Sequence, residues 1–408
     1  MALTGHPLSA PVVSPAPLYQ LLMEVAESIR QCTARSGRPV LIEPAAVLSG
    51  RAALLGLSRG GRISAGRGTR LLRCLDGWCA VSLVRPDDLE LVPAIVGNAA
   101  IGGEWEELAA AARSVSVQEF TGRVQEFGVP AGALPPSGGP REAPLSITRI
   151  ADARQDLRLD RLRVIDLSSL WAGPLCAQIL GDAGAEVVKV ESVRRPDGAR
   201  SGNTAFYDWL HSGHRSVALD FTTTAGRRAL ADLIDSADVV IEASRPRALR
   251  QLGVAPEERH HRDGKIWVSI TGYGASGPDR VAFGDDAAVA GGLVGWDGGQ
   301  PVFCGDAIAD PLTGVCAALA ASAATVAGGG HHIGVSMRDV AAAFAGVSPM
   351  CDGPHEVVRD ARGWAVRCPR HHGVQPVVPP SVPDRRDPAA PLGFHNREFP
   401  SRLADGES

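Results

Sequence analysis

From Arg161 onward short apolar strands alternate with helices, and no other feature of this sequence limits its fold as strongly. The order is "LRVIDLSS" (162–169, strand), "GPLCAQILGDAG" (173–184, helix), "AEVVKVES" (185–192, strand), "AGRRALADLIDSA" (225–237, helix), "DVVIEAS" (238–244, strand) and "KIWVSITGYG" (265–274, strand). Such alternation predicts an α/β protein whose parallel sheet is joined by crossover helices, a Rossmann-like doubly wound layer. Ligands of these sheets bind at the carboxyl ends of the strands. Here those ends carry "DLSSLWAGP" (166–174), "VESVRRPDG" (190–198), "EASRPRALR" (242–250) and "TGYGASGP" (271–278). No G-x-G-x-x-G follows the first strand, which argues against an NAD-type pyrophosphate site. Instead Arg194, Arg195, Arg200, Arg245, Arg247 and Arg250 follow the second and third strands, where guanidinium forks can grip phosphate or carboxylate groups.

A second feature lies just beyond. "FGDDAAVAGGLVGWDGG" (283–299) sets Asp285 and Asp286 in front of a run of small residues that reads as a helix. One aspartate is enough to cap the first turn and meet the positive end of the helix dipole. A pair leaves one carboxylate for other work.

Composition removes several function classes. With 41 Lys+Arg against 45 Asp+Glu the net charge is −4, so no global field draws the chain to nucleic acid or an anionic membrane, and neither is an expected partner. The eight cysteines show no C-x-x-C pair and no zinc-like spacing with histidine, and neither of the pairs His331–His332 and His371–His372 has i, i+4 spacing; no metal is expected. Neither a signal peptide nor a membrane-length apolar stretch free of turn residues is evident, and a cytoplasmic protein is the expectation.

Residues 1–134 mix an amphipathic helix pattern, "LYQLLMEVAESIRQC" (18–32), with a strand-like "GWCAVSLV" (77–84) and read as a smaller α+β domain. The Pro/Gly/Ser cluster "LPPSGGPREAPLS" (134–146) marks a linker over 135–157. The doubly wound domain occupies 158–345, and 346–408, rich in Pro, Arg and His, is expected to return along the molecule as irregular structure.

Taken together, the strand-end segments resemble the family III CoA-transferases, the group of formyl-CoA transferase and the 2-methylacyl-CoA racemases. The resemblance runs through "VIDLSSLWAGPLCAQILGDAGAEVVKVES", "HSGHRSVALDF" (211–221), "ADVVIEASRP" (237–246), "VSITGYGASGP" (268–278) and "GDAIADPLTGVCAALAASAA" (305–324). It implies that one aspartate, Asp285 or Asp286, attacks an acyl-CoA thioester, giving a mixed anhydride and then an enzyme-bound CoA thioester from which a carboxylic acid acceptor receives CoA. It further implies that coenzyme A lies along Ser169, Leu170, Trp171 and Ala172, reaches Ser192, Arg194 and Arg195, and passes Ala243, Ser244, Arg250, Thr271 and Gly272. Gly272 and Gly274 would face a developing oxyanion, while Ala287, Ala288, Gly291 and Gly292 would leave room for the acyl group. The racemase branch is the alternative, with His260 in "PEERHHRDG" (256–264) as base beside Asp285 or Asp286; a non-catalytic CoA-binding subunit is a third possibility.

The opening "MALTGHPLSAPVV" resembles the family stretch that recurs at "LVGWDGGQPVF" (293–303), and "FGVPAGAL" (127–134) resembles the end of the family's smaller domain. Residues 1–134 thus look like the back half of one family unit fused ahead of the front half of a second. The resemblance implies one active site per chain and a homodimer.

Overall fold

The computed structural model describes residues 1–14, 16–97, 103–136, 142–348, 351, 355–368, 370 and 373–399. The N-terminal half opens with helices α1 (Leu18–Ser36) and α2 (Pro44–Leu55). Strands β1 (Thr69–Arg73) and β2 (Trp78–Ser82), helices α3 (Pro86–Glu90), α4 (Val92–Val96), α5 (Glu104–Arg113) and α6 (Val117–Glu126), and strand β3 (Ala131–Ala133) follow. β1, β2 and β3 form an antiparallel sheet. Its inner face, Leu72, Cys79 and Val81, packs on Ile95, Leu108, Phe120 and Val124 of the helices, a core separate from the rest of the molecule.

The second half contains β4 (Leu145–Arg149), β5 (Arg163–Asp166), α7 (Ala172–Asp182), β6 (Glu186–Ser192), α8 (Thr204–His211), β7 (Arg215–Leu219), α9 (Thr224–Ser236), β8 (Val239–Glu242), α10 (Pro246–Leu252) and β9 (Ile266–Thr271). Then come α11 (Gly284–Ala290), the hairpin β10 (Val294–Asp297) and β11 (Gln300–Phe303), α12 (Ala309–Val326), β12 (His331–Ser336) and α13 (Met337–Ala345). Seven strands lie in the order β4-β12-β9-β8-β5-β6-β7, parallel throughout except at β4. Counting only the parallel strands, this is the doubly wound order, and the direction of winding reverses between β5 and β8.

Period-two burial builds both faces of the sheet. Val164, Val239, Ile241, Ile266, Val268 and Ile270 face α1, α7 and α12, whereas Ile165, Val188, Val190, Val240 and Trp267 face α9 and α10. Helix α12 is long and apolar enough to cross a membrane by length and composition alone, but it is mostly buried and packs between α1 and α7.

Three boundaries differ from the sequence reading. Only residues 69–133 have a core of their own, because α1 lies on α12 and α2 on α8, inside the large layer. The segment read as a linker contains β4, which pairs antiparallel with β12 and closes one edge of the sheet; residues 137–141 of that linker lie outside the described residues. The segment read as irregular contains a three-stranded antiparallel sheet, β13 (Glu356–Asp360), β14 (Gly363–Cys368) and β15 (Gly373–Pro376). Beyond it the chain returns to the outer edge of β7, where the His395 amide donates to Ser216 O and the Asn396 side chain pairs with both the amide and the carbonyl of Ala218. An edge strand is thereby covered by side-chain and backbone partners.

Candidate active site

A cavity of about 560 Å³ opens at the carboxyl ends of β5, β8 and β9, where the sheet changes its direction of winding. Its wall includes eight of the residues expected to meet CoA, namely Ser169, Leu170, Ala172, Arg195, Ala243, Ser244, Thr271 and Gly272. Leu170 adopts φ +71°, a left-handed backbone, and its amide is held by the Asp197 carboxylate at 3.1 Å. Asp197 is in turn anchored by Lys189, which also pairs with Asp166, all three buried. This buried ion cluster, with Asp166 at the end of β5 and Lys189 on β6, fixes the loop that presents Ser169 and Leu170.

Four expected contacts lie elsewhere. Trp171 is buried edge-on against Phe206, with Arg51 over its ring at 5.6 Å. The Ser192 hydroxyl accepts the Arg194 amide, and Arg194 pairs with Asp220 out in solvent. Arg250 pairs with Glu257 at 2.8 Å and lines a neighbouring cavity. The resemblance placed these four along CoA, but Ser192 ends β6, Arg250 lies within α10, and none of the four lines the cavity.

Five arginines, Arg85, Arg195, Arg245, Arg247 and Arg280, line the cavity. Burial, reinforced by Arg247, Arg85 and Arg195, pushes the Arg245 guanidinium below its usual range. Positive charge concentrated in this way at strand ends favours a polyanionic ligand. Arg85 and Pro130 come from the N-terminal half, and so does the clamp on the loop leading to α11. Gln125 Nε2 donates to Val281 O at 2.8 Å while its Oε1 accepts the Val281 amide at 3.0 Å.

The paired acids require a correction. Neither Asp285 nor Asp286 lines this cavity. Asp286 is fully buried, and its Oδ1 accepts the Phe283 amide at 2.9 Å and the Ser82 hydroxyl at 2.7 Å, so it caps α11 and ties it to β2. Asp285 Oδ1 accepts the Ala307 amide at 2.9 Å, which fixes the turn before α12. The small residues of α11 serve packing instead of substrate room. Ala287 and Ala288 are buried in the core, and a Cβ on Gly291 would meet Arg338 O at 2.6 Å.

Asp310, which the sequence reading passed over, is the aspartate on the cavity wall. It sits in the first turn of α12, its carboxylate accepts the Gly284 amide, and a Cβ on Gly284 would come within 2.3 Å of its Oδ2. Burial raises its carboxyl to about 7, opposed by Arg51 and assisted by Asp285 and Asp306. Burial, with Asp306 next, raises Asp285 to about 6. Arg51 of α2 pairs with Asp306 at 2.6 Å and is the cation that restrains all three acids. The signal in the sequence was present: Asp310 stands in the first turn of an 18-residue helix of small residues in the same way that the paired acids stand in the first turn of a shorter one.

Of the two glycines assigned to the oxyanion, Gly272 lines the cavity, whereas the Gly274 amide donates to Thr271 Oγ1 and Gly274 lines the neighbouring cavity. His260, the candidate racemase base, is exposed and lies outside the cavity.

The sequence model of CoA-transferase family III matches residues 159–368, just over half of the chain. The chain belongs to this family. Family III relatives include the succinyl-CoA–D-citramalate CoA-transferase of Chloroflexus aurantiacus, 34% identical over 176 residues that make up 40% of this chain and 44% of that one. The succinate–glutarate CoA-transferase of Agrobacterium fabrum is 32% identical over 248 residues, 51% of this chain and 62% of that one. The chain therefore spans about half the length of the curated relatives it matches. A CAIB/BAIF family protein from Brucella suis is similar at 28% identity with a TM-score of 0.46, over 51% of this chain and 65% of the other.

Proposed function

We propose that this family III member transfers coenzyme A between an acyl-CoA thioester and a carboxylic acid, with the arginine-lined cavity as the CoA site and Asp310 as the nucleophile. The observation that carries the reading is the position of Asp310: an acid on the cavity wall, at the start of a long helix, while the carboxylates of Asp285, Asp286 and Asp306 are each engaged by a structural partner.

In the reaction Asp310 Oδ attacks the thioester carbonyl, and the C–S bond breaks to give an aspartyl–acyl anhydride and CoA thiolate. The thiolate attacks the aspartyl carbonyl, which releases the donor carboxylate and leaves an Asp310–CoA thioester. An acceptor carboxylate attacks that thioester to form a second anhydride, and the returning thiolate takes the acceptor acyl group and frees Asp310. No net proton is consumed. The Gly284 amide donates to the carboxylate and helps to keep it ionised, and the dipole of α12 acts in the same direction. The exposed position of His260, outside the cavity, favours transfer over the racemase reading.

Asp310→Asn preserves the hydrogen bond from Gly284 and removes the nucleophile. Transfer from a panel of acyl-CoA donors to dicarboxylic acids should be lost while CoA binding by calorimetry is kept. Hydroxylamine trapping during turnover should label the peptide that contains Asp310. Turnover in the Asn variant, or label on Asp285 or Asp286, would refute the assignment.

A further inference from the structure

We propose that Cys351, His355 and Cys368 form a zinc-class metal site at the open end of the C-terminal hairpin, against the expectation from sequence of no metal. One ligand atom of each residue lies within 4.8 Å of the other two, and the sulfurs are 3.3 Å apart, well beyond a disulfide bond of about 2 Å. A tetrahedral zinc with Zn–S near 2.3 Å and Zn–N near 2.0 Å spaces its ligand atoms roughly 3.5–3.8 Å apart, so the three side chains need only small rotations to enclose one ion.

The hairpin explains the convergence. Glu356 pairs with Arg367 in the β13–β14 register, which makes His355 and Cys368 the next cross-strand neighbours, and Cys351 reaches back to Cys368 from four residues before His355. Spacing along the chain did not reveal the set, because Cys368 joins the others only through this pairing. All three residues are half-buried, so the site is open to an incoming ion and to a fourth ligand such as water.

A second observation concerns the sheet itself. Among its described residues only Ala365 is buried, and none of β13, β14 and β15 contributes to any of the four hydrophobic clusters. A small antiparallel sheet with so little apolar burial needs a staple, and a metal supplies one. Two thiolates and one imidazole suit Zn(II), with Co(II) as its spectroscopic substitute, and binding releases the thiol protons.

The test uses the full chain purified under reducing conditions, loaded with zinc and dialysed. About one zinc per chain is expected by elemental analysis, falling at least tenfold in Cys351→Ser and His355→Ala and persisting in the double variant His331→Ala/His332→Ala. Titrating the wild-type chain with Co(II), which does not depend on any variant folding, should give thiolate-to-cobalt charge-transfer absorption and tetrahedral d–d bands. Failure to retain zinc, zinc content unchanged by Cys351→Ser, or absence of the charge-transfer band would each overturn the proposal. A Cys351–Cys368 disulfide in chain isolated without reductant, together with no zinc uptake after reduction, would overturn it in favour of a redox staple.

Discussion

Asp286→Asn tests whether the second of the paired acids is a buried structural cap. Burial is the largest influence on its carboxyl and raises it to about 7, with the Ser82 and Phe283 hydrogen bonds opposing and Asp285 adding to the rise. Between the ordinary 3.8 and about 7 the folded protein holds a proton that the unfolded chain has released. Stability therefore falls as pH rises through that window and is level above it. At about 1.4 kcal/mol for each pH unit, the full loss is about 4 kcal/mol. Asparagine keeps Oδ1 for Phe283 and Ser82 and cannot ionise, but its amide takes the place of Oδ2, which has no hydrogen-bond partner. An unpaired buried amide costs about 1–3 kcal/mol, which leaves the variant about 1–3 kcal/mol more stable than wild type at pH 8 and within about 1.5 kcal/mol of it at pH 5, where the wild type has lost only about 1.6 kcal/mol. Urea denaturation of both proteins at the two pH values measures the double difference, in which the other raised acids cancel. A variant less stable than wild type at pH 8, or one with the same pH slope, would show that Asp286 is ionised at little cost and that the burial argument is wrong.

Other perturbations address the surroundings. Gly132→Ala puts a Cβ 2.4 Å from Asp286 O and 2.9 Å from Ala290 Cβ, and should cost about 1–3 kcal/mol by thermal unfolding as α11 is pushed off the small sheet. Arg51→Met leaves Asp306 buried without its cation, a loss of about 3 kcal/mol. It also removes the main charge holding the Asp310 carboxyl down, so the rise of transfer rate with pH, expected near 7 in the wild type, should move to higher pH. Arg245→Ala should weaken CoA binding by about tenfold or more and reduce its salt dependence, as read by calorimetry at two ionic strengths.

The sheet was largely legible because a parallel strand buried on both faces reads as a mostly apolar run, as in β5, β8 and β9, with buried Lys189 interrupting the run in β6. β4 was hidden by its mostly exposed edge position and β12 by its two leading histidines. The strand-end loops were legible as a site because the doubly wound order puts them there, yet the choice among neighbouring side chains was not. Trp171 and Leu170 are adjacent, and only the left-handed backbone at Leu170 decides which one faces the cavity.

Choosing among the acids was harder for a related reason. Asp286 meets Ser82 across 204 positions and Arg51 meets Asp306 across 255, separations at which no motif reports contact. Those long-range contacts also give the N-terminal half its part in the candidate site. The Ser82 hydroxyl and Gln125 amide, both from the small domain, fix Asp286 and Val281, the two points that set where α11 begins. That beginning is Gly284, whose amide holds the Asp310 carboxylate and whose missing side chain lets it approach. Arg51 holds the neighbouring Asp306 from the other side. The second half thus carries the proposed nucleophile and most of the cavity wall, while the first half sets the position of that carboxylate and the charge around it, so both halves of the chain contribute to the candidate site.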